Sequence, residues 1–86
     1  MEVEVLVSQD CPSCVKAVSQ WKTVCVEQGI PVHVHDTTSE RGRELVARFD
    51  LKVLPAVLID DQLRAVGVPT AEQVRSILAS AAGTDC

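Results

Sequence analysis

Aromatic residues are nearly absent from this chain: Trp21 and Phe49 make up 2% of 86 residues, and tyrosine is missing. The core must therefore be assembled from Val, Leu, Ile and Ala, which suits a compact α/β packing. A basic run is also missing, and the formal net charge is −4. Neutralising a phosphate backbone needs a Lys/Arg patch, so a nucleic-acid partner is excluded. No apolar stretch approaches the ~20 residues that span a bilayer, so a membrane partner is not expected. The start, Met1-Glu2-Val3-Glu4, is acidic where a secretory leader would be basic, and no leader-like apolar segment follows it. The default expectation is the cytosol.

Linkers, repeats and low-complexity segments are lacking too. The hydrophobic fraction of 47% is that of a folded chain. The length is enough for one domain with one modest core. Residues 1–86 read as a single domain, expected to be monomeric, with 82–86 as a flexible tail. Four cysteines in so short a chain could be a disulfide scaffold. Without an export signal, they point instead to redox chemistry or to metal.

The chain alternates short elements. Residues 3–8 carry Val3, Val5, Leu6 and Val7, the mark of a buried strand. Pro12 suits the first position of a helix running to Gln28, which leaves Cys11 at the cap. The apolar face of that helix is read as Cys14, Val18, Trp21, Cys25 and Val26, with Gly29 as its stop. Residues 31–36 alternate Val32 and Val34 with His33 and His35, a half-exposed strand near a sheet edge. Thr37, Thr38 and Ser39 offer caps for a helix over 39–49, buried through Leu45, Val46 and Phe49 and weakened at Gly42. Residues 56–60 form the most strand-like run. Asp60-Asp61 is a tight turn, and residues 63–66 pair back as a hairpin. Thr70 with Gln73 forms a capping box for a last helix buried through Val74, Ile77, Leu78 and Ala81. The predicted fold class is α/β, in the order βαβαββα: a four-stranded mixed sheet flanked by three helices, with a right-handed crossover in its first half.

The chemistry centres on Cys11-Pro12-Ser13-Cys14, placed after a strand and at the start of a helix. A helix N-terminus carries about half a positive charge and free N–H groups, which stabilise a thiolate. A thiolate attacks a disulfide and a thiol does not, so Cys11 is the candidate nucleophile. Cys14, one turn on, can close a small ring as the resolving thiol. The same pair could hold a soft ion such as Cu(I) or Zn(II), which is the alternative reading. A catalytically idle adaptor is a third. No metal or cofactor is otherwise expected.

With this motif, the chain resembles the thioredoxin/glutaredoxin-like superfamily, whose minimal core is βαβαββα. A second segment, Val53-Leu54-Pro55-Ala56-Val57-Leu58-Ile59-Asp60, is similar to the family's strand opened by a cis-proline. The resemblance implies a thioredoxin fold and a dithiol–disulfide oxidoreductase acting on protein disulfides. It further implies a cis Pro55 facing the cysteine pair, and a Leu54 backbone offered to an extended substrate beside Pro12 and Ser13. A reductase or a low-molecular-weight thiol would recycle the pair. The chain departs from the family at several places, among them Gly67-Val68-Pro69-Thr70, which matches only weakly the Gly-Gly that glutaredoxins carry before the last helix. Thioredoxins carry Trp before the first cysteine, where Asp10 stands here. Glutaredoxins carry Pro-Tyr between the cysteines and a basic residue upstream, where Pro12-Ser13 and Ser8-Gln9-Asp10 stand here. The chain is closer to short prokaryotic thioredoxin-like proteins.

Other candidates are set aside. Cys25 lies roughly 16 Å along the helix from Cys14, beyond the ~7 Å that a disulfide allows, and reads as core. Cys86 could be a free thiol, an intermolecular link or a third redox group. His33 and His35 lie about 6.6 Å apart on one strand face and read as solvated. Trp21 reads as packing, and Asp10 as an exposed turn residue that could select basic or polar substrates.

Overall fold

Val3 and Val5 point to one side of the first strand, β1 (Val3–Val7), and Leu6 to the other, and all three are completely buried. A strand buried on both faces must lie inside a sheet. The computed structural model describes residues 1–81 and places β1 there; the tail assigned to 82–86, with Cys86, lies outside the described residues. The other elements follow as α1 (Pro12–Gln28), β2 (Val32–Asp36), α2 (Glu40–Phe49), β3 (Ala56–Ile59), β4 (Gln62–Val66) and α3 (Ala71–Ala81). The sheet order is β2-β1-β3-β4, with β1 parallel to β2 and antiparallel to β3, and β3 antiparallel to β4. The predicted order and mixed sheet are those observed.

The core divides into two layers. On one face, Val3, Val5, Val57 and Ile59 pack against Ala17, Trp21, Val24 and Cys25 of α1 and Val74 and Leu78 of α3. On the other, Leu6, Ala56 and Leu58 pack against Leu45 of α2, with Val46 and Phe49 only partly covered. Trp21 is fully buried, and its indole N–H has no hydrogen-bond partner among the described residues. Burial pushes the Cys25 thiol pKa up, as expected of a core cysteine.

The expected apolar face of α1 needs one correction. Val26 is 76% exposed, and Ala17 and Val24 take its place in the core. At roughly 100° per residue, Val26 lies about 120° round the helix from Cys14, on the side away from Ala17 and Val24. The edge position expected for 31–36 is correct, but its alternation is not clean. Val32 packs on the core, while Val34, on the same edge strand, is 40% exposed.

Local signals act as their chemistry requires. Thr70 Oγ1 accepts from Gln73 N at 3.1 Å, and Gln73 Oε1 accepts from Thr70 N at 3.0 Å, so the capping box closes. Asp60 and Asp61 turn the β3–β4 hairpin with φ of 51° and 66°, in the left-handed region that aspartate tolerates. Ser39 caps α2 by accepting from Gly42 N at 3.0 Å and donates to the Asp36 carbonyl at 2.6 Å. A Cβ on Gly42 would overlap that carbonyl. Gly42 is thus the residue that lets α2 start tight against β2, and its helix penalty is secondary.

A charged side chain in β1 is satisfied from a distance. Glu4, with a side chain 14% exposed, accepts a two-pronged contact from Arg41, Nε at 3.1 Å and Nη2 at 3.0 Å. Arg41 also reaches Glu44 at 2.8 Å and Asp61 at 2.9 Å. His35 Nε2 lies 3.1 Å from Glu4 Oε1; an ionised carboxylate only accepts, so Nε2 carries the hydrogen. One guanidinium therefore ties β1, α2 and the β3–β4 turn together. The Arg41 hydrogen bonds hold the Glu4 pKa below its ordinary 4.5, against the opposing effect of burial.

Two outcomes follow. Gly42→Ala should lower unfolding free energy in urea by about 1–3 kcal/mol, despite alanine's better helix propensity, because the overlapping group is backbone. Because the folded Glu4 pKa is depressed, its stabilisation is present above 4.5 and is lost as pH falls through the folded value. Arg41→Met should therefore flatten the decline in melting temperature between about pH 6 and pH 3 relative to the parent chain.

Candidate functional site

The path from β1 into α1 sets the geometry. After Val7 the chain passes through Ser8 and Gln9 to Asp10, whose φ of 56° turns the backbone toward the helix. Cys11 is then extended, with φ −120° and ψ 91°, the conformation of an N-cap. Pro12 occupies the first helical position, where a missing N–H costs nothing. The Cys14 N–H is shared between the Cys11 carbonyl at 3.0 Å and Cys11 Sγ at 3.2 Å. A sulfur here does the work that Ser or Asp does at other caps.

Cys11 and Cys14 are joined in a disulfide, with Cα atoms 5.2 Å apart. Their exposure differs. Cys14 is 2% exposed and lies on the buried side of α1, while Cys11 is partly open to solvent. Ser13 Oγ lies 3.6 Å from Cys11 Sγ; a bridged sulfur has no hydrogen, so the hydroxyl donates. The first turn of α1 contains no acidic residue, so its positive end is not neutralised from within the helix.

The four motif residues are thus held in one turn. Leu54 and Pro55 reach the same end of the sheet by another route. Antiparallel pairing sets Ala56 opposite Leu6, so the start of β3 lies beside the end of β1. Pro55 is buried, Leu54 is partly covered by the α2-side core, and the Leu54–Pro55 peptide bond is cis. The Pro55 carbonyl accepts from Gly67 N at 2.7 Å, which ties the approach to β3 to the end of β4. Pro12 and Ser13 are exposed at the tip.

Sequence reasoning missed the immediate surroundings of the pair. A hollow of about 280 Å³ beside the cysteines is lined by Val7, Ser8, Asp10, Cys11, Cys14, Val15 and Val18. Neither Leu54 nor Pro55 lines it. The 71% exposure of Val15 left no periodic signal, and Val7 was legible only as a strand residue. His33 and His35 lie apart from this site. Their rings stack at 6.5 Å, and they face Glu2 and Glu4 at 3.8 and 3.1 Å. Among the described residues, no group of three or more His, Cys, Asp or Glu is arranged to hold a metal ion. Nor is any described helix long and apolar enough to cross a membrane.

With the fold and this turn in place, comparison with known proteins is specific. The family model for the thioredoxin domain matches residues 1–79. A probable thioredoxin of Archaeoglobus fulgidus is 25% identical over 76 residues, covering 88% of this chain and 84% of that protein. Thioredoxin 1 of Thermosipho africanus superposes with a TM-score of 0.71 at 16% identity over the whole of both chains. A thioredoxin-like protein from Clostridium perfringens gives 0.74 at 17% identity over 92% of this chain and 68% of that one. At these identities the two structures speak for the fold alone.

The cap geometry gives a measurable expectation. Under reducing conditions, Cys11→Ser should match the parent in urea unfolding to within about 0.5 kcal/mol, whereas Cys11→Ala should lose about 1 kcal/mol, the cost of an empty N-cap.

Proposed function

The chain belongs to the thioredoxin-domain family, and on that footing we propose that it is a thiol–disulfide oxidoreductase acting on protein disulfides, with Cys11 as nucleophile and Cys14 as resolving thiol. One observation carries the assignment: at a single helix N-terminus the two sulfurs differ in access, Cys11 partly open and Cys14 2% exposed. A bulky protein disulfide can meet only the first of them.

The reaction starts from the reduced pair. The Cys14 N–H and the Ser13 hydroxyl, both directed at Cys11 Sγ, favour its thiolate, since hydrogen bonds to an ionised acceptor strengthen. The Cys11 thiolate attacks one substrate sulfur. A sulfur–sulfur bond forms between Cys11 and substrate, the substrate disulfide breaks, and the departing sulfur leaves as a thiolate that takes a proton from water. Cys14, deprotonated in turn, attacks Cys11 Sγ and releases the second substrate sulfur. The substrate gains two electrons and two protons, and the Cys11–Cys14 pair is left as the disulfide seen in the structure. Return to the dithiol takes two electrons from a dithiol reductase or from two equivalents of a small thiol.

The start of β3 supports a substrate ledge. Leu54 lies at the same end of the sheet as the pair, just ahead of the strand, where an extended segment could add its backbone hydrogen bonds. We assign the reaction to a reducing cytosol on cysteine usage. Among the described residues the one bridge closes a four-residue ring that staples no two elements together, and Cys25 stays free.

The test is reduction of insulin or of an aromatic disulfide reporter, with a small dithiol as electron source. Cys11→Ser should lose at least about a hundredfold in rate. Cys14→Ser should accumulate a mixed disulfide through Cys11, visible as a mass increase equal to the substrate. A Cys11→Ser variant that keeps full activity refutes the assignment.

A further inference from the structure

The hollow beside the cysteine pair lies outside the ledge just described, and its composition is unusual. Val7, Val15 and Val18 line it with apolar side chains, beside Cys11 and Cys14. Asp10 is the one charged residue among those that line it. Val15 is a β-branched apolar residue at a helical position 71% open to solvent, where packing within the chain gives it no task. Asp10 is exposed, has a left-handed φ of 56°, and forms no salt bridge among the described residues. By contrast, the carboxylates of Glu4, Glu44 and Asp61 all share Arg41.

We propose that this hollow is a substrate subsite for a lysine or arginine flanking the reacting cysteine of the target, and that Asp10 is the residue that selects it. The proposal rests on the oxidoreductase reading. A lysine or arginine has an apolar stem that lies well along valine methyls and a cationic head that seeks an anion or water. The hollow offers both surfaces: three valines and one exposed carboxylate are among the residues that line it. Charge also decides against the opposite preference. The open N-terminus of α1 would by itself favour an acidic neighbour on the substrate, and Asp10 offsets it.

The size of the effect follows from Coulomb's law. At about 7 Å in water a unit charge pair changes an equilibrium or rate by about threefold. Exchanging a lysine for a glutamate counts twice, so the preference should be roughly sevenfold before screening and about fivefold at low salt. It should be screened by salt, because Asp10 is exposed.

The experiment uses two disulfide-bonded peptides identical except for Lys or Glu beside the reacting cysteine. They compete for the reduced protein, and the ratio of kcat/KM is measured. Any change in the thiolate fraction of Cys11 affects both peptides equally and cancels in the ratio. The parent chain should favour the Lys peptide about fivefold at about 20 mM salt, falling toward unity at about 1 M. Asp10→Asn keeps a residue that tolerates the left-handed backbone and should bring the ratio to one or below. Val15→Lys leaves Asp10 in place, adds a cation to the lining and should lower the ratio as well. A parent ratio near one, or a ratio unchanged by Asp10→Asn, overturns the subsite while leaving the oxidoreductase reading intact. Reduction of neither peptide overturns both.

Discussion

The structure depends on β1 being buried from both sides and paired along both edges. Val3 and Val5 anchor the α1–α3 layer and Leu6 the α2 layer, while β2 and β3 hydrogen-bond to either side. Both parts of the candidate site are positioned from that strand. Its end directs the chain into Cys11, and its pairing with β3 brings Leu54 and Pro55 to the same end of the sheet. Its one buried-strand carboxylate, Glu4, captures Arg41 and so fixes α2 and the hairpin turn. The Cys11–Cys14 turn starts from a strand that is buried on both faces and paired on both edges.

The pair is an asymmetric device set in a local frame. Cys11 is both the cap of α1 and the open sulfur of the disulfide, so the hydrogen bond that starts the helix is the same one that would steady a thiolate. The bridge closes a ring of four residues, and a ring so small removes less entropy from the unfolded chain than a long loop would. Changing its oxidation state therefore disturbs the helix start more than the fold. That suits a pair with a thioredoxin-like redox role.

Much of this was legible because it is local. The cap at Cys11, proline at the first helical position, the Thr70–Gln73 box and the Asp60–Asp61 turn are set by residues within three or four positions of one another, and each formed as its chemistry requires. What stayed hidden was long-range or depended on absolute phase. Val26 fits a three-and-four spacing, but the spacing does not say which meridian of the helix faces the sheet. Gly42 reads as a weak helix residue until the Asp36 carbonyl is seen beside it. Glu4 and Arg41 meet across 37 positions, and no periodicity announces such a pair. The hollow beside the cysteines arises where β1 ends against α1, so its walls belong to no single motif.

Trp21 has a consequence of another kind. It is the only tryptophan, tyrosine is absent, and its ring is sealed in the α1–α3 layer on the same helix face as Cys14, two turns along. Nearly all near-ultraviolet absorbance and emission of the protein therefore comes from one indole. Its optical signal has a single address in the interior, on the very helix that begins at the reactive pair. The chain carries its own spectroscopic label, and no foreign dye is needed to watch that helix.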